Sequence, residues 1–196
     1  MVKDMSTYNL CSEIRSIQND ENVIEFIRSS KCTKQMVNQV YDNNMTPLQT
    51  AACNNKLEIV DALLKKGANI EPGNQTLGPI EMAIYYGPYS NDEDIQNNLK
   101  VIQKLIKKKK KIDFEHRYNP FILACMKGKN EIIQLFLDGT HNVDVMLKGF
   151  DDKSGVEYLQ KFKNQEGIKL VESYLMNNYL KNDLPNKVIH KKEFKL

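Results

Sequence analysis

The chain has 196 residues, with 28 basic side chains against 25 acidic ones for a formal charge of +3, 41% hydrophobic residues and a mean hydropathy of -0.54. A chain of this length buries roughly 70% of its unfolded surface, and its composition lies near the globular average, which argues against wholesale disorder. Only Arg15, Arg28 and Arg117 are arginines against 25 lysines, a balance that argues against a dedicated nucleic-acid reader, since such proteins favour the forked guanidinium and draw on strong overall positive charge.

The first residues, MVKDMSTYNLCSEIRS, contain no apolar targeting core, and Val2 stands where myristoylation requires Gly. Two helix-like stretches follow, Leu10 to Ile17 and Glu21 to Arg28. In the second, Val23, Ile24 and Ile27 hold the register taken later by Ile59, Val60 and Leu63. An N-terminal capping unit is therefore expected over residues 1–41.

Residues 46–52 read TPLQTAA, and Glu58, Ile59, Val60, Leu63, Leu64, Gly67, Ala68 and Asn69 continue the pattern. Two later segments echo it. Gly78 to Ile84 matches the first half, and Val101, Ile102, Leu105 and Ile106 match the second after about ten extra residues. Asn119 to Cys125, then Glu131, Ile132, Ile133, Phe136 and Leu137, repeat it again. Pro47, Pro79 and Pro120 suit the first turn of a helix, where a missing N–H costs nothing. Small residues at Ala51, Ala83 and Ala124 let a neighbouring helix approach. Turns at Asn55, Gly87 and Gly128 lead to a second helix with Leu57, Val60, Leu63 and Leu64 on one face, and Gly67 is placed to cap it. Such a helix pair cannot bury its own apolar face and must stack on copies of itself.

Within the third unit, residues 88–98, PYSNDEDIQNN, are acidic and polar and are expected to project as a loop. Lys107, Lys108, Lys109, Lys110 and Lys111 run consecutively after Lys100 and Lys104. Three readings are open for them: cations at a helix end, which complement its dipole; a nuclear import signal or a patch for an acidic partner; and contact with nucleic acid. The longest apolar run, Phe121 to Met126, is far short of the roughly 20 residues that span a bilayer, so no membrane crossing is expected. Ser154 to Phe162 and Ile168 to Met176 read as a further helix pair, with Val171, Tyr174 and Leu175 in the apolar register. The tail from Lys181 is polar and basic.

Chemistry-bearing motifs are sparse. His116, His141 and His190 are isolated, and Cys11, Cys32, Cys53 and Cys125 lie far apart without a C-x-x-C pair, so they read as reduced thiols of a cytoplasmic chain. No phosphate-cradling, dinucleotide or nucleophile-elbow motif occurs. Neither a catalytic site, a metal, a cofactor nor a small-molecule substrate is expected.

The repeated units resemble the ankyrin repeat, about 33 residues with a T-P-L-H-x-A core, a β-turn and two helices. The likeness is strongest over residues 42–71, clear over 113–144 and weaker over 74–113. The family's His is replaced by Gln49, Glu81 and Ile122, and its Thr by Gly78 and Asn119, departures that bear on hydrogen bonds between repeats. The resemblance implies an all-α ankyrin solenoid: a capping unit at 1–41, repeats at 42–73, 74–113 and 114–145, a C-terminal capping unit at 146–180 and a tail at 181–196. It also implies a non-catalytic module that binds a partner protein, as competitor, adaptor or effector, on the turn tips and the exposed side of each first helix. Those positions are Asp42, Asn43, Met45, Cys53 and Asn54 in one repeat, and Asn74, Gln75, Leu77, Tyr85 and Tyr86 in the next. In the following repeat they are Glu115, His116, Tyr118, Met126 and Lys127. Tyr85, Tyr86 and Tyr118 are the expected anchors, because Tyr offers large area and a polar tip with few rotors. Small ankyrin proteins of viruses and bacteria resemble this arrangement. Leu184 to Ile189 also resembles the opening of the F-box-like segment that ends many poxvirus ankyrin proteins, which implies an alternative role as an adaptor for ubiquitin ligation.

Overall fold

The computed structural model describes residues 9–16, 20–41, 44–71, 77–109, 112–114 and 118–182. The chain divides into two compact units, Met1–Ile112 and Asp113–Leu196. Both are helical, and the described residues contain no strand beyond an isolated antiparallel bridge between Lys148 and Ser154.

In the first unit, α1 (Leu10–Arg15), α4 (Pro47–Cys53) and α6 (Pro79–Tyr86) pack as one row, and α2 (Asp20–Arg28), α5 (Leu57–Lys66) and α7 (Asp92–Lys109) as a second. A short α3 (Lys34–Asn38), which the apolar pattern did not announce, lies against α4 and α5. It forms because Thr33 accepts the Met36 N–H at its start.

The local causes are visible in α4. Thr46 Oγ1 accepts the Gln49 N–H at 3.3 Å while Gln49 Oε1 accepts the Thr46 N–H at 2.8 Å, a reciprocal cap with Pro47 in the first turn. Every residue from Pro47 to Ala52 is buried, and Ala51 and Ala52 let α1 and α6 close on both sides. Gln49 then reaches out of its own repeat, donating from Nε2 to the Leu77 carbonyl at 2.7 Å. At the far end of α5, Gly67 takes the left-handed conformation at φ 95°, and its N–H and that of Ala68 meet the last carbonyls of the helix.

Residues 88–98 do not project as a loop. Helix α7 begins at Asp92, so most of the insertion lengthens the second helix of its repeat. Asn91 Oδ1 accepts the Asp94 N–H at 2.9 Å and Asp94 Oδ2 accepts the Ser90 N–H at 3.2 Å, and Asp92, Glu93 and Asp94 sit in the first turn, where the helix dipole favours negative charge. The polarity that suggested a loop is the signature of a helix start. The extension is tied down by Asn98, fully buried, whose amide donates to Asn55 Oδ1 at 2.7 Å and to the Ala83 carbonyl at 2.9 Å. Asn55, left-handed at φ 54°, in turn donates to the carbonyls of Pro88 and Asp94. Gly87 makes room: a Cβ there would stand 2.2 Å from Asn98 Nδ2 and 2.3 Å from the Ala83 carbonyl oxygen.

The second unit follows the same scheme, with α8 (Pro120–Lys127) against α10 (Gly155–Lys161) and α9 (Asn130–Phe136) against α11 (Gln165–Asn182). Asn119 replaces the hydroxyl cap, accepting the N–H groups of Phe121 and Ile122 at 2.9 and 3.2 Å. Ser154 and Glu157 form a reciprocal cap at α10, and Gly155 lets that helix settle on the Phe121 ring and the Cys125 sulfur. Tyr174 anchors α11 by hydrogen bonds to both the N–H and the carbonyl of Val143.

Because Asn98 satisfies two acceptors in a dry site, Asn98→Ala should cost about 2 kcal/mol. Gly87→Ala should cost at least about 1 kcal/mol through displacement of the same amide. Urea unfolding followed by circular dichroism checks both.

Candidate functional site

Two of the expected site residues of the first unit, Tyr85 and Tyr86, stand at the end of α6. That helix buries Pro79 to Ile84 and leaves its last two residues at the boundary. Tyr86 is 59% exposed; Tyr85 is half-buried and meets it edge to face, ring centroids 4.7 Å apart. The two tyrosines therefore divide the work, one seating the pair and one presenting a ring to solvent. Leu77 and Met45, each half-buried before its first helix, are also held through the backbone: the Leu77 carbonyl takes the Gln49 amide, and the Met45 carbonyl takes the Tyr41 N–H and the Cys11 thiol. Asn54 donates to the Thr50 carbonyl at 2.7 Å and to Cys53 Sγ, so its amide closes the end of α4. Asp42, Asn43, Asn74 and Gln75 lie outside the described residues.

In the second unit, Tyr118 is half-buried with its ring 5.8 Å from that of Phe150. Met126 is half-buried and Lys127 exposed at the end of α8. Glu115 and His116 lie outside the described residues. Sequence reasoning passed over Phe150 and Met146, which are 47% and 57% exposed; large apolar residues in a Gly- and Asp-rich connection, outside any helical register, were the available signal. Phe162, exposed at the end of α10, stacks on Tyr158.

The lysine run is the last turn of α7, through Lys109; Lys110 and Lys111 lie outside the described residues, as do the F-box-like residues Leu184 to Ile189. Several of these cations reach back to neighbouring elements. Lys104 pairs with Asp61, which Lys65 also holds at 2.6 Å, and Lys109 pairs with Glu71 at 3.3 Å. The hydrogen bonds from Lys104 and then Lys65 hold the Asp61 carboxyl below its usual range. The acidic start and the basic end of α7 stand roughly 25 Å apart along the helix.

Nucleophilic chemistry finds an unfavourable setting in the thiols. All are free, and burial raises each of them, Cys11 to about 11, so the reactive thiolate is disfavoured. Among the described residues no group of His, Cys, Asp and Glu is placed to hold a metal, and no helix is long and apolar enough to cross a membrane.

Residues 13–95 match the family model described as ankyrin repeats (3 copies). Those residues form ankyrin repeats. The matched segment runs from α1 into the first turn of α7, and the second unit, beyond it, repeats the same pairing of first and second helices. No curated protein matches the chain. Ankyrin repeats are generally protein–protein interaction modules that offer extended surfaces built from successive units. Within the matched segment Gln49 occupies the family's His position and supplies a bond between repeats.

One buried cation gives a measurable signature. Lys129, 3% exposed at the head of α9, is pushed down to about 8, chiefly by burial and secondarily by Lys127. Its folded value lies below its unfolded one, so between about 8 and 10.5 the unfolded chain binds more protons and this residue's contribution to stability rises with pH. Lys129→Met should remove that rise: relative to the variant, the wild type should gain about 3 kcal/mol across this window in urea unfolding curves.

Proposed function

We propose that this chain is a non-catalytic ankyrin module that binds a partner protein through the first-helix face of its first unit, with Tyr86 as the exposed anchor and Tyr85 as its seat. The observation that carries the reading is the ring of Tyr86, 59% exposed and braced by Tyr85, at the end of a helix buried from Pro79 to Ile84. A ring fixed by a neighbour loses little entropy when a partner covers it, which is how Tyr comes to dominate interface energetics. Leu77 and Met45 extend the apolar area within the same unit, while Asn54 lies at the end of α4 with its amide engaged.

A role as competitor or adaptor needs no turnover: the protein would act by occupying a surface. Four free thiols suit a reducing compartment such as the cytoplasm. Tyr118, Met126, Lys127 and Phe150 give the second unit its own contact group.

The test is affinity capture from native cells with wild type and with a Tyr85→Ala/Tyr86→Ala double variant, followed by titration of the captured protein. The double variant should bind roughly thirtyfold more weakly, about 2 kcal/mol, while Tyr86→Ala alone keeps the wild-type melting temperature because its ring lies outside the core. Equal affinity of the double variant would reject the assignment.

A further inference from the structure

The outer row of the first unit carries a second surface, on helices other than those bearing the tyrosines. Residues of α2, α5 and α7 enclose an open groove of about 470 Å³. Lys100, Lys104 and Lys107 line it from α7 and Arg28 faces them from the end of α2. The lysine spacing of four and then three residues places them on one helix face, over roughly 10 Å of its length.

These cations are not equivalent. Lys104 is committed to Asp61 together with Lys65, so that carboxylate is already matched. Arg28, Lys100 and Lys107 are exposed and make no ion pair among the described residues. Only Glu58, also exposed in the lining, opposes them, which leaves the groove with uncompensated positive charge. Leu57 and Gln103 add an apolar contact and an amide.

We propose that this groove binds an acidic peptide segment of a partner protein, with carboxylates spread over about two helical turns meeting Arg28, Lys100 and Lys107. The mixed lining favours a peptide over a nucleic acid. Glu58 interrupts the positive lining, which suits discrete carboxylates better than a continuous phosphate backbone. The lining holds no aromatic ring on which a base could stack and a single guanidinium. A peptide also makes use of Leu57 and Gln103. This surface is independent of the tyrosine face, since it is built from the second helices.

The test uses the full chain and a fluorescein-labelled helical peptide bearing Glu at positions i, i+4 and i+7 on an Ala background, followed by anisotropy at low and physiological salt. Its Gln counterpart and a single-stranded oligo-dT are the comparison probes. Arg28→Ala/Lys100→Ala/Lys107→Ala should weaken the Glu peptide about tenfold or more, while a charge-matched Lys148→Ala/Lys161→Ala/Lys169→Ala variant stays within about twofold and Tyr86→Ala is unchanged. Lys107→Glu, a single exposed change at the helix end, should weaken binding in the same direction should the triple variant lose helical content. Equal loss in the two triple variants, unchanged binding by Lys107→Glu, no saturable binding of the Glu peptide, or tighter binding of oligo-dT through the same three residues would each overturn the proposal.

Discussion

The structure of the first unit depends on α4 being sandwiched between α1 and α6. A helix of seven residues has no stability of its own in water, and α4 persists because six consecutive residues of it are buried between neighbours that need it equally. Two demands follow. Its sides must be small enough for close approach, which Ala51 and Ala52 provide, and its orphan N–H groups must be satisfied without water. Thr46 and Gln49 meet the second demand in a way that also links repeats, because Gln49 accepts from its own cap and donates to the Leu77 carbonyl ahead of α6. One side chain thus caps the start of a helix and sets the position of the next.

The same economy explains how the third helix pair absorbs its extra residues. Lengthening the second helix of one repeat leaves a turn mismatched with its neighbour, and an unsatisfied buried backbone group there would cost more than a typical hydrogen bond contributes. Asn98 and Asn55 close that gap, the first by donating to the Ala83 carbonyl at the end of α6 and the second by donating to the carbonyls of Pro88 and Asp94. Asparagine suits both places: it tolerates the left-handed backbone of Asn55 and offers donor and acceptor on one short side chain. The extended helix then separates its acidic start from its basic end and presents lysines along its length.

Much of this architecture is legible in the sequence. Pro before an apolar run, paired small residues and Gly67 after the second helix each have one dominant structural meaning, so the helix pairs could be placed from the residues alone. The start of α7 was not legible in the same way, because Ser-Asn-Asp-Glu-Asp serves a loop and a helix N-terminus equally well; the hydrogen bonds of Asn91 and Asp94 decide between them, and those bonds exist only once the chain is folded. Helix α3 escaped because its single buried residue, Val37, makes no periodic pattern. At the candidate site, the sequence marked Tyr85 and Tyr86 together but could not say which one is exposed. Adjacent helical positions differ by about 100°, and the packing of α6 decides which of the two faces outward.

That division of the two tyrosines bears on how a partner would be held. An exposed ring braced by a half-buried one contributes area with little ordering cost, and its contribution is insensitive to salt. The lysine groove on the second helices depends on charge and weakens as ionic strength rises. Both surfaces rest on one packed unit, the tyrosines on α6 and the lysines on α7, joined by a turn that the Asn55 and Asn98 network locks. A partner contacting α6 and an acidic segment contacting α7 would therefore be held in a fixed mutual geometry. Tethering the two contacts in one partner raises the effective concentration of the second once the first is made, so a weak, salt-sensitive contact at the groove can still govern which partner stays bound.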